Sequence, residues 1–214
     1  MRTISVFGLG YVGSVTAACF SSKGHKVIGI DVATEKVELM ATGKTPIFEP
    51  GIQEIITESH AQGLLTATTD INEAVFGSEI SFICVGTPSQ ANGKLDLKGI
   101  QHVCEQIGAS LKHKDSFHVV VTRSTILPGT TADVITPALE AASGKKAGKD
   151  FGVATNPEFL REGSAIKDFL NPPMTVLGVG DPKSESLLKE LYAWMPAELF
   201  AVPVPSAEMV KYAC

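Results

Sequence analysis

The chain has 214 residues, 44% of them hydrophobic, enough to bury one large domain or one and a half, which excludes an intrinsically disordered chain. Eighteen Lys and Arg stand against 23 Asp and Glu, a formal net charge of -5, and no basic run offers a track for phosphate backbones, so nucleic acid is not an expected partner. No apolar run reaches the ~18 residues of a membrane span, and the run after Met1-Arg2-Thr3 meets Gly8 too early for a signal-peptide core, so a cytoplasmic protein without membrane association is expected.

In chain order, β-branched runs alternate with amphipathic stretches, the pattern of parallel strands joined by crossover helices. The runs predict strands over Thr3–Phe7, Lys26–Ile30, Ile80–Val85, His118–Thr122, Gly152–Thr155 and Met174–Val179. Several are apolar nearly throughout, as a sheet covered by helices on both faces requires. Helices are expected over Gly13–Lys23, Thr34–Thr42 and Gly51–Gln62, closed by Gly24, Gly43 and Gly63 where left-handed caps fall. Further helices are expected over Leu97–Leu111, Thr130–Ala142 and Pro182–Trp194, with 143–149 a solvated loop. Near the end Ser206 reads as an N-cap with Glu208 in the first turn, and the stripe Met209, Val210, Tyr212 stops at Cys214 without a C-cap, as in a chain that continues. Cys19, Cys84, Cys104 and Cys214 lie far apart with no C-x-x-C pair, which argues against a metal site and a disulfide framework; the first three read as reduced structural thiols.

Gly8-Leu9-Gly10-Tyr11-Val12-Gly13 matches G-x-G-x-x-G between a strand and a helix, and Asp31 ends the next strand about 20 residues on. Gly8 permits the tight turn, Gly10 lets a pyrophosphate approach the backbone, and Gly13 lets helix and strand pack closely. Asp31 is placed to accept from ribose hydroxyls and to repel a 2'-phosphate, favouring NAD over NADP, while Lys36 softens that repulsion. Similar loops also serve FAD and S-adenosylmethionine.

Ligands gather at the carboxyl ends of such strands, so the residues there are candidates. Thr87 follows one strand as a coenzyme contact or a turn residue. Arg123-Ser124-Thr125 follows another, with Arg123 read as a surface cation. Asn156 to Gly163 follows a third; if it turns helically, Glu158 and Glu162 share a face, where like charges cost stability and hint at proton relay, the alternative being two solvated acids on a surface turn.

Together these segments resemble the UDP-glucose/GDP-mannose dehydrogenase family. Gly8 to Gly13, Val85-Gly86-Thr87-Pro88, Ser124-Thr125 with Pro128-Gly129-Thr130, Asn156 to Gly163 and Ala207 to Tyr212 occur in the family's order across essentially the whole chain. The wording of 81–88, 92–97 and 172–176 is most similar to the GDP-mannose members, with UDP-glucose the alternative substrate. The resemblance implies an α/β fold: a Rossmann-like, doubly wound, mainly parallel sheet over 1–203, then the start of a central interdomain helix over 204–214. It also implies a further domain bearing a catalytic cysteine and the sugar-nucleotide site, absent from these residues.

The implied activity is a four-electron oxidation of a sugar C6 alcohol to the acid, with two NAD and a cysteine thioester. Carried over by motif position, Gly8, Gly10, Tyr11, Val12, Gly13, Asp31, Lys36, Thr87 and Thr125 contact NAD. Lys211 stabilises alkoxide and oxyanion, Glu162 activates water with Thr125, and Glu158 supports them. Backbone groups of Phe159, Leu160 and Arg161, with Glu162 and Lys211, line the nucleotide sugar. No metal is implied, and family members dimerise through the central helix. The chain alone is expected to bind NAD without turnover, since the partner asparagine and the cysteine motif are missing; Cys214 does not match that motif. A β-hydroxyacid or 6-phosphogluconate-type dehydrogenase shares the glycine loop and the helix lysine but gives no reason for Glu158 and Glu162; a non-catalytic NAD-binding module is the remaining alternative.

Overall fold

A computed structural model describes the whole chain, Met1 to Cys214. Eight strands form one sheet in the order β3-β2-β1-β4-β5-β6-β7-β8, with β1 Thr3–Phe7, β2 Lys26–Ile30, β3 Leu65–Thr68, β4 Ile80–Ile83, β5 Val119–Thr122, β6 Gly152–Thr155, β7 Thr175–Val179 and β8 Leu199–Val202. The first six run parallel; β7 turns antiparallel to β6, and β8 runs parallel to β7. The fold is therefore the expected mainly parallel, doubly wound α/β sheet.

Alternation along the strands fills a core on each face. Ile80 and Phe82 of β4 and Val119 and Val121 of β5 enter one cluster, Ile83 and Val120 the other. This two-sided burial is why these strands read as continuous apolar runs. In the larger cluster Phe20 centres an aromatic group, its ring 5.3 Å from Phe82, 5.3 Å from Phe169 and 5.5 Å from Tyr192.

The helices are α1 Tyr11–Ser22, α2 Thr34–Ala41, α3 Ile52–Ala61, α4 Ile71–Phe76, α5 Lys98–Leu111, α6 Thr136–Ser143, α7 Ala165–Leu170, α8 Pro182–Leu191 and α9 Val204–Ala213, with a π-turn, Thr131–Ile135, leading into α6. Gly24, Gly43 and Gly63 take the left-handed conformation, with φ of 82°, 75° and 67°. None of the helices is long and apolar enough to cross a membrane.

Three expectations are corrected. The sequence reading assigned no element to β3, β8, α4 or α7: the two helices have six residues each, and Leu-Thr-Ala-Thr of β3 carries too few apolar positions to show a period. Ser206 is not the last helix's cap. That helix starts at Val204 after Pro203, with Pro205 in its first turn, where a missing N–H costs nothing. Finally, 156–161 has no helical turn, so Glu158 and Glu162 share no helix face.

Candidate functional site

The parallel strands end level, and the ladder continues one residue past them. Gly8 N donates to Ile30 O at 2.7 Å, Cys84 N to Phe7 O at 2.8 Å, Arg123 N to Ile83 O at 2.9 Å and Asn156 N to Thr122 O at 2.8 Å. Each loop residue singled out from the sequence is thus launched from one edge of the sheet. The order reverses between β1 and β4, where an open α/β sheet offers a crevice.

A cleft of about 550 Å³ lies there, lined by Gly8, Gly10, Asp31, Lys36, Cys84 and Gly86 among others. Gly8 has φ 97°, and a Cβ on it would lie 3.0 Å from Cys84 O. A Cβ on Gly13 would lie 1.7 Å from Gly8 O, whereas one on Gly10 would meet nothing within 4 Å. Gly13 therefore serves close packing, and Gly10 faces open space at the amino end of α1, whose free amides and dipole favour an anion. The Asp31 carboxylate accepts from Leu9 N at 2.6 Å and Ala33 N at 2.8 Å, and Lys36 Nζ stands 3.6 Å from it. Each carboxylate oxygen keeps a lone pair for a ribose hydroxyl. The donor set, the open turn and the acid at the lip fit NAD.

Not every expected coenzyme residue lines this cleft. The Tyr11 and Val12 side chains pack, half-buried, against the larger core cluster. Thr87 Oγ1 donates to Thr125 O at 2.8 Å and Ser124 Oγ to Val85 O at 2.6 Å, tying the loops after β4 and β5 together. Cys84 is buried, and burial pushes its thiol up to about 12, so it is no thiolate nucleophile at neutral pH.

A second group converges beyond β5 and β6. Thr125, Glu158 and Lys211 line one small crevice together with Arg123 and Glu208. Lys211 Nζ donates to Glu158 Oε1 and to Glu158 O, both at 2.7 Å. Glu158 is buried and Lys211 half-buried, so the pair is a held cation rather than an exposed helix lysine. Arg123, expected on the surface, is 7% exposed: it donates to Asn156 Oδ1 and packs 5.0 Å from the Phe169 ring.

Phe159 and Leu160 line an adjoining crevice. Arg161 turns away to Asp168, donating from Nε at 3.0 Å and Nη2 at 2.7 Å, and the bonds from Arg161 hold the Asp168 carboxyl at about 2. Glu162 is exposed at the turn before α7.

Two acids were missed. Glu208 on α9 is 2% exposed and accepts from Gly129 N at 2.6 Å and Thr131 N at 2.8 Å. Glu49, between α2 and α3, is 5% exposed and accepts from Tyr11 OH and from the amides of Gly163 and Ala165, both at 2.8 Å. Glu208 falls in the first turn expected of the last helix, but nothing local marks Glu49, and the partners of both lie far away in the chain.

Residues 2–195 match the model of the UDP-glucose/GDP-mannose dehydrogenase family, NAD binding domain. The GDP-mannose 6-dehydrogenase of Pseudomonas aeruginosa is 53% identical over 211 residues, covering 99% of this chain and 48% of that one. The UDP-glucose 6-dehydrogenase of Haloferax volcanii is 41% identical over 215 residues, covering 98% and 50%. The crystal structure of a ternary complex of the P. aeruginosa GDP-mannose dehydrogenase superposes with a TM-score of 0.97 at 53% identity, over 100% of this chain and 49% of that one. The chain thus spans about half the length of the curated relatives it matches.

Proposed function

Since the chain belongs to the UDP-glucose/GDP-mannose dehydrogenase family and carries its NAD-binding domain, we propose that it is the coenzyme half of a nucleotide-sugar 6-dehydrogenase oxidising GDP-mannose to the uronate with two NAD. In this reading 1–203 form the coenzyme domain, 204–214 begin a central helix, and a further domain supplies the nucleophilic cysteine and most of the sugar-nucleotide site. The protein works in the cytoplasm as an oligomer, with Met209 and Tyr212 of α9, 49% and 46% exposed, available to a second copy.

The observation that carries the reading is the Lys211–Glu158 pair set beside Thr125 on the strand edge that also holds the Gly8–Gly13 turn. Bound NAD accepts hydride. The residues of this chain bind and steer. Asp31 takes the adenosine ribose, the amides after Gly10 take the pyrophosphate, Tyr11 and Val12 hold the turn with Gly8 and Gly13, and Lys36, Thr87 and Thr125 complete the coenzyme contacts. Lys211 presents its ammonium to the alkoxide and to the tetrahedral oxyanions, held in place by Glu158. Glu162 with Thr125 activates the water that releases the acid. Backbone groups of Phe159, Leu160 and Arg161 line the nucleotide sugar, the Arg161 side chain being turned to Asp168. The identity of 53% with a GDP-mannose enzyme against 41% with a UDP-glucose enzyme supports GDP-mannose.

The test compares GDP-mannose and UDP-glucose with the whole enzyme, counting NADH per sugar, alongside calorimetric titration of the 214-residue chain with NAD. Two NADH per GDP-mannose and saturable NAD binding are expected. One NADH per sugar removes the alcohol-to-acid reaction, and preference for UDP-glucose reassigns the substrate.

A further inference from the structure

Tyr11, the first residue of α1, follows Gly10 directly, so its backbone is part of the coenzyme turn. Its hydroxyl leaves the turn in the other direction and donates to Glu49 Oε2. The same oxygen accepts from Gly163 N at 2.8 Å, Gly163 N also reaches the Tyr11 hydroxyl at 3.2 Å, and Glu49 Oε1 accepts from Ala165 N at 2.8 Å. One buried carboxylate therefore joins three segments: the turn at residue 11, the loop at 49, and the stretch at 163–165 that follows Glu162.

We propose that Glu49 is a positioning residue that fastens the loop bearing Glu162 to the coenzyme turn, so that NAD on the turn orders this loop. The inference rests on the coenzyme reading above.

An ordinary helix cap explains only part of the arrangement. Glu49 does satisfy free amides at the start of α7, which needs no tyrosine. The bond from Tyr11 adds nothing to that cap's count of satisfied amides, yet with the longer contact from Gly163 N to the same hydroxyl it is what reaches the coenzyme side. Glu49 makes no ion pair with a cation. Burial opposes its charge, and the bonds from Tyr11 and from the amides of Gly163, Ala165 and Ile166 outweigh burial, holding its carboxyl below the usual range. Such a network is stiff because every bond is directional and several meet on one carboxylate. A pyrophosphate that fixes the backbone at Gly10 and Tyr11 therefore fixes the phenol, and through the carboxylate the amides of 163 and 165. By linkage, whatever orders that loop tightens NAD by the same factor.

The probe is NAD with the 214-residue chain, read by amide hydrogen exchange in NMR. Shifts at Gly8, Gly10 and Gly13 report occupancy of the turn, and exchange at Gly163 and Ala165 reports the coupling. In the unmodified chain saturating NAD is expected to slow exchange at Gly163 and Ala165 about tenfold, the scale of one charge-assisted hydrogen bond. Tyr11→Phe removes the link but keeps every Glu49 bond to α7, so it is expected to reduce the NAD effect to less than about twofold while leaving ligand-free exchange at Ala165 unchanged. Glu49→Gln is expected to speed ligand-free exchange at both amides and to abolish the NAD effect.

If Tyr11→Phe keeps the full NAD response, Glu49 is a helix cap only and the proposal fails. If the turn shifts with NAD but 163 and 165 never respond, the coupling is refuted while the coenzyme reading stands. If the turn itself does not shift, the coenzyme reading falls and takes the coupling with it. Should Glu49→Gln not fold, Tyr11→Phe decides alone.

Discussion

Gly10 and Gly13 belong to one motif, but the structure gives them opposite jobs, and a pair of alanine substitutions separates them. At Gly13 the new Cβ would sit 1.7 Å from Gly8 O, so about 1.3 Å must be found between α1 and the turn before even the tightest contact is reached. The turn is held against retreat by Gly8 N, which donates to Ile30 O at 2.7 Å. Overpacking against backbone costs about 3 kcal/mol, which for a chain of this size is a fall in Tm of roughly 6–12 °C. Gly10 has φ -74° and ψ -166°, extended backbone open to any residue, with no atom within 4 Å of an added methyl. Gly10→Ala is therefore expected to leave folding unharmed, or to stabilise it by about 0.4–1 kcal/mol through a less flexible unfolded chain. Its methyl would instead occupy the approach of the pyrophosphate and weaken NAD at least about tenfold, or 1.4 kcal/mol. Thermal melts and calorimetric NAD titrations of both variants are the assay. A Gly10→Ala protein that binds NAD normally would refute the assignment of the turn to phosphate, and a Gly13→Ala protein that melts normally would refute the packing argument.

Asp31→Ala removes an acceptor for Leu9 N and Ala33 N as well as for ribose, and is expected to weaken NAD by about tenfold to a hundredfold while narrowing the preference over NADP. Unchanged affinity for both coenzymes, measured by titration, would dismiss it from the ribose role. Asp168, held at about 2 by Arg161, stabilises the fold above the ordinary carboxylate range, and that stabilisation is lost as pH falls from about 4 through about 2. Urea melts across this window should show Asp168→Asn with a flatter acid limb than the parent; parallel limbs would count against the pair. Glu208→Ala leaves two amides, of Gly129 and Thr131, without their acceptor and is expected to cost about 2–5 kcal/mol and to expose α9 to limited proteolysis before the rest of the domain. Simultaneous cleavage everywhere would deny that Glu208 anchors the helix.

The glycine turn was legible because its constraints are local. Three glycines at fixed spacing and an acid at the next strand end are neighbours in sequence before they are neighbours in space, and Gly24, Gly43 and Gly63 mark helix ends for the same reason. What was not legible depends on partners far along the chain. Glu49 meets Gly163 and Ala165 across more than a hundred positions, and Glu208 meets Gly129 across 79. Arg123 looked like a surface cation because nothing beside it announces that Phe169, Asn156 and Tyr192 close over it. Glu158 and Glu162 were paired by a helical assumption that fails. The extended backbone after β6 sends Glu158 inward to Lys211 and leaves Glu162 outside.

The register of β7 and β8 sets where the last helix starts. Thr155, the last residue of β6, pairs with Gly178 of β7, and Gly178 pairs with Val202, the last residue of β8. The chain therefore leaves β8 level with the carboxyl edge where the parallel strands end, and α9 starts there. The start is close: a Cβ on Gly178 would lie 2.6 Å from Ala207 Cβ and 3.0 Å from Val204 Cα, so only glycine lets the helix lie on the strand. From Val204 to Lys211 the helix rises about 10 Å, which takes it past the sheet edge. Glu208 and Lys211, three positions apart and so on one face, then reach the loop after β5 at Gly129 and the loop after β6 at Glu158. One helix, started level with the sheet edge, braces both loops with opposite charges and sets the only cation of that crevice's rim that is partly open to solvent above Thr125 and Glu158.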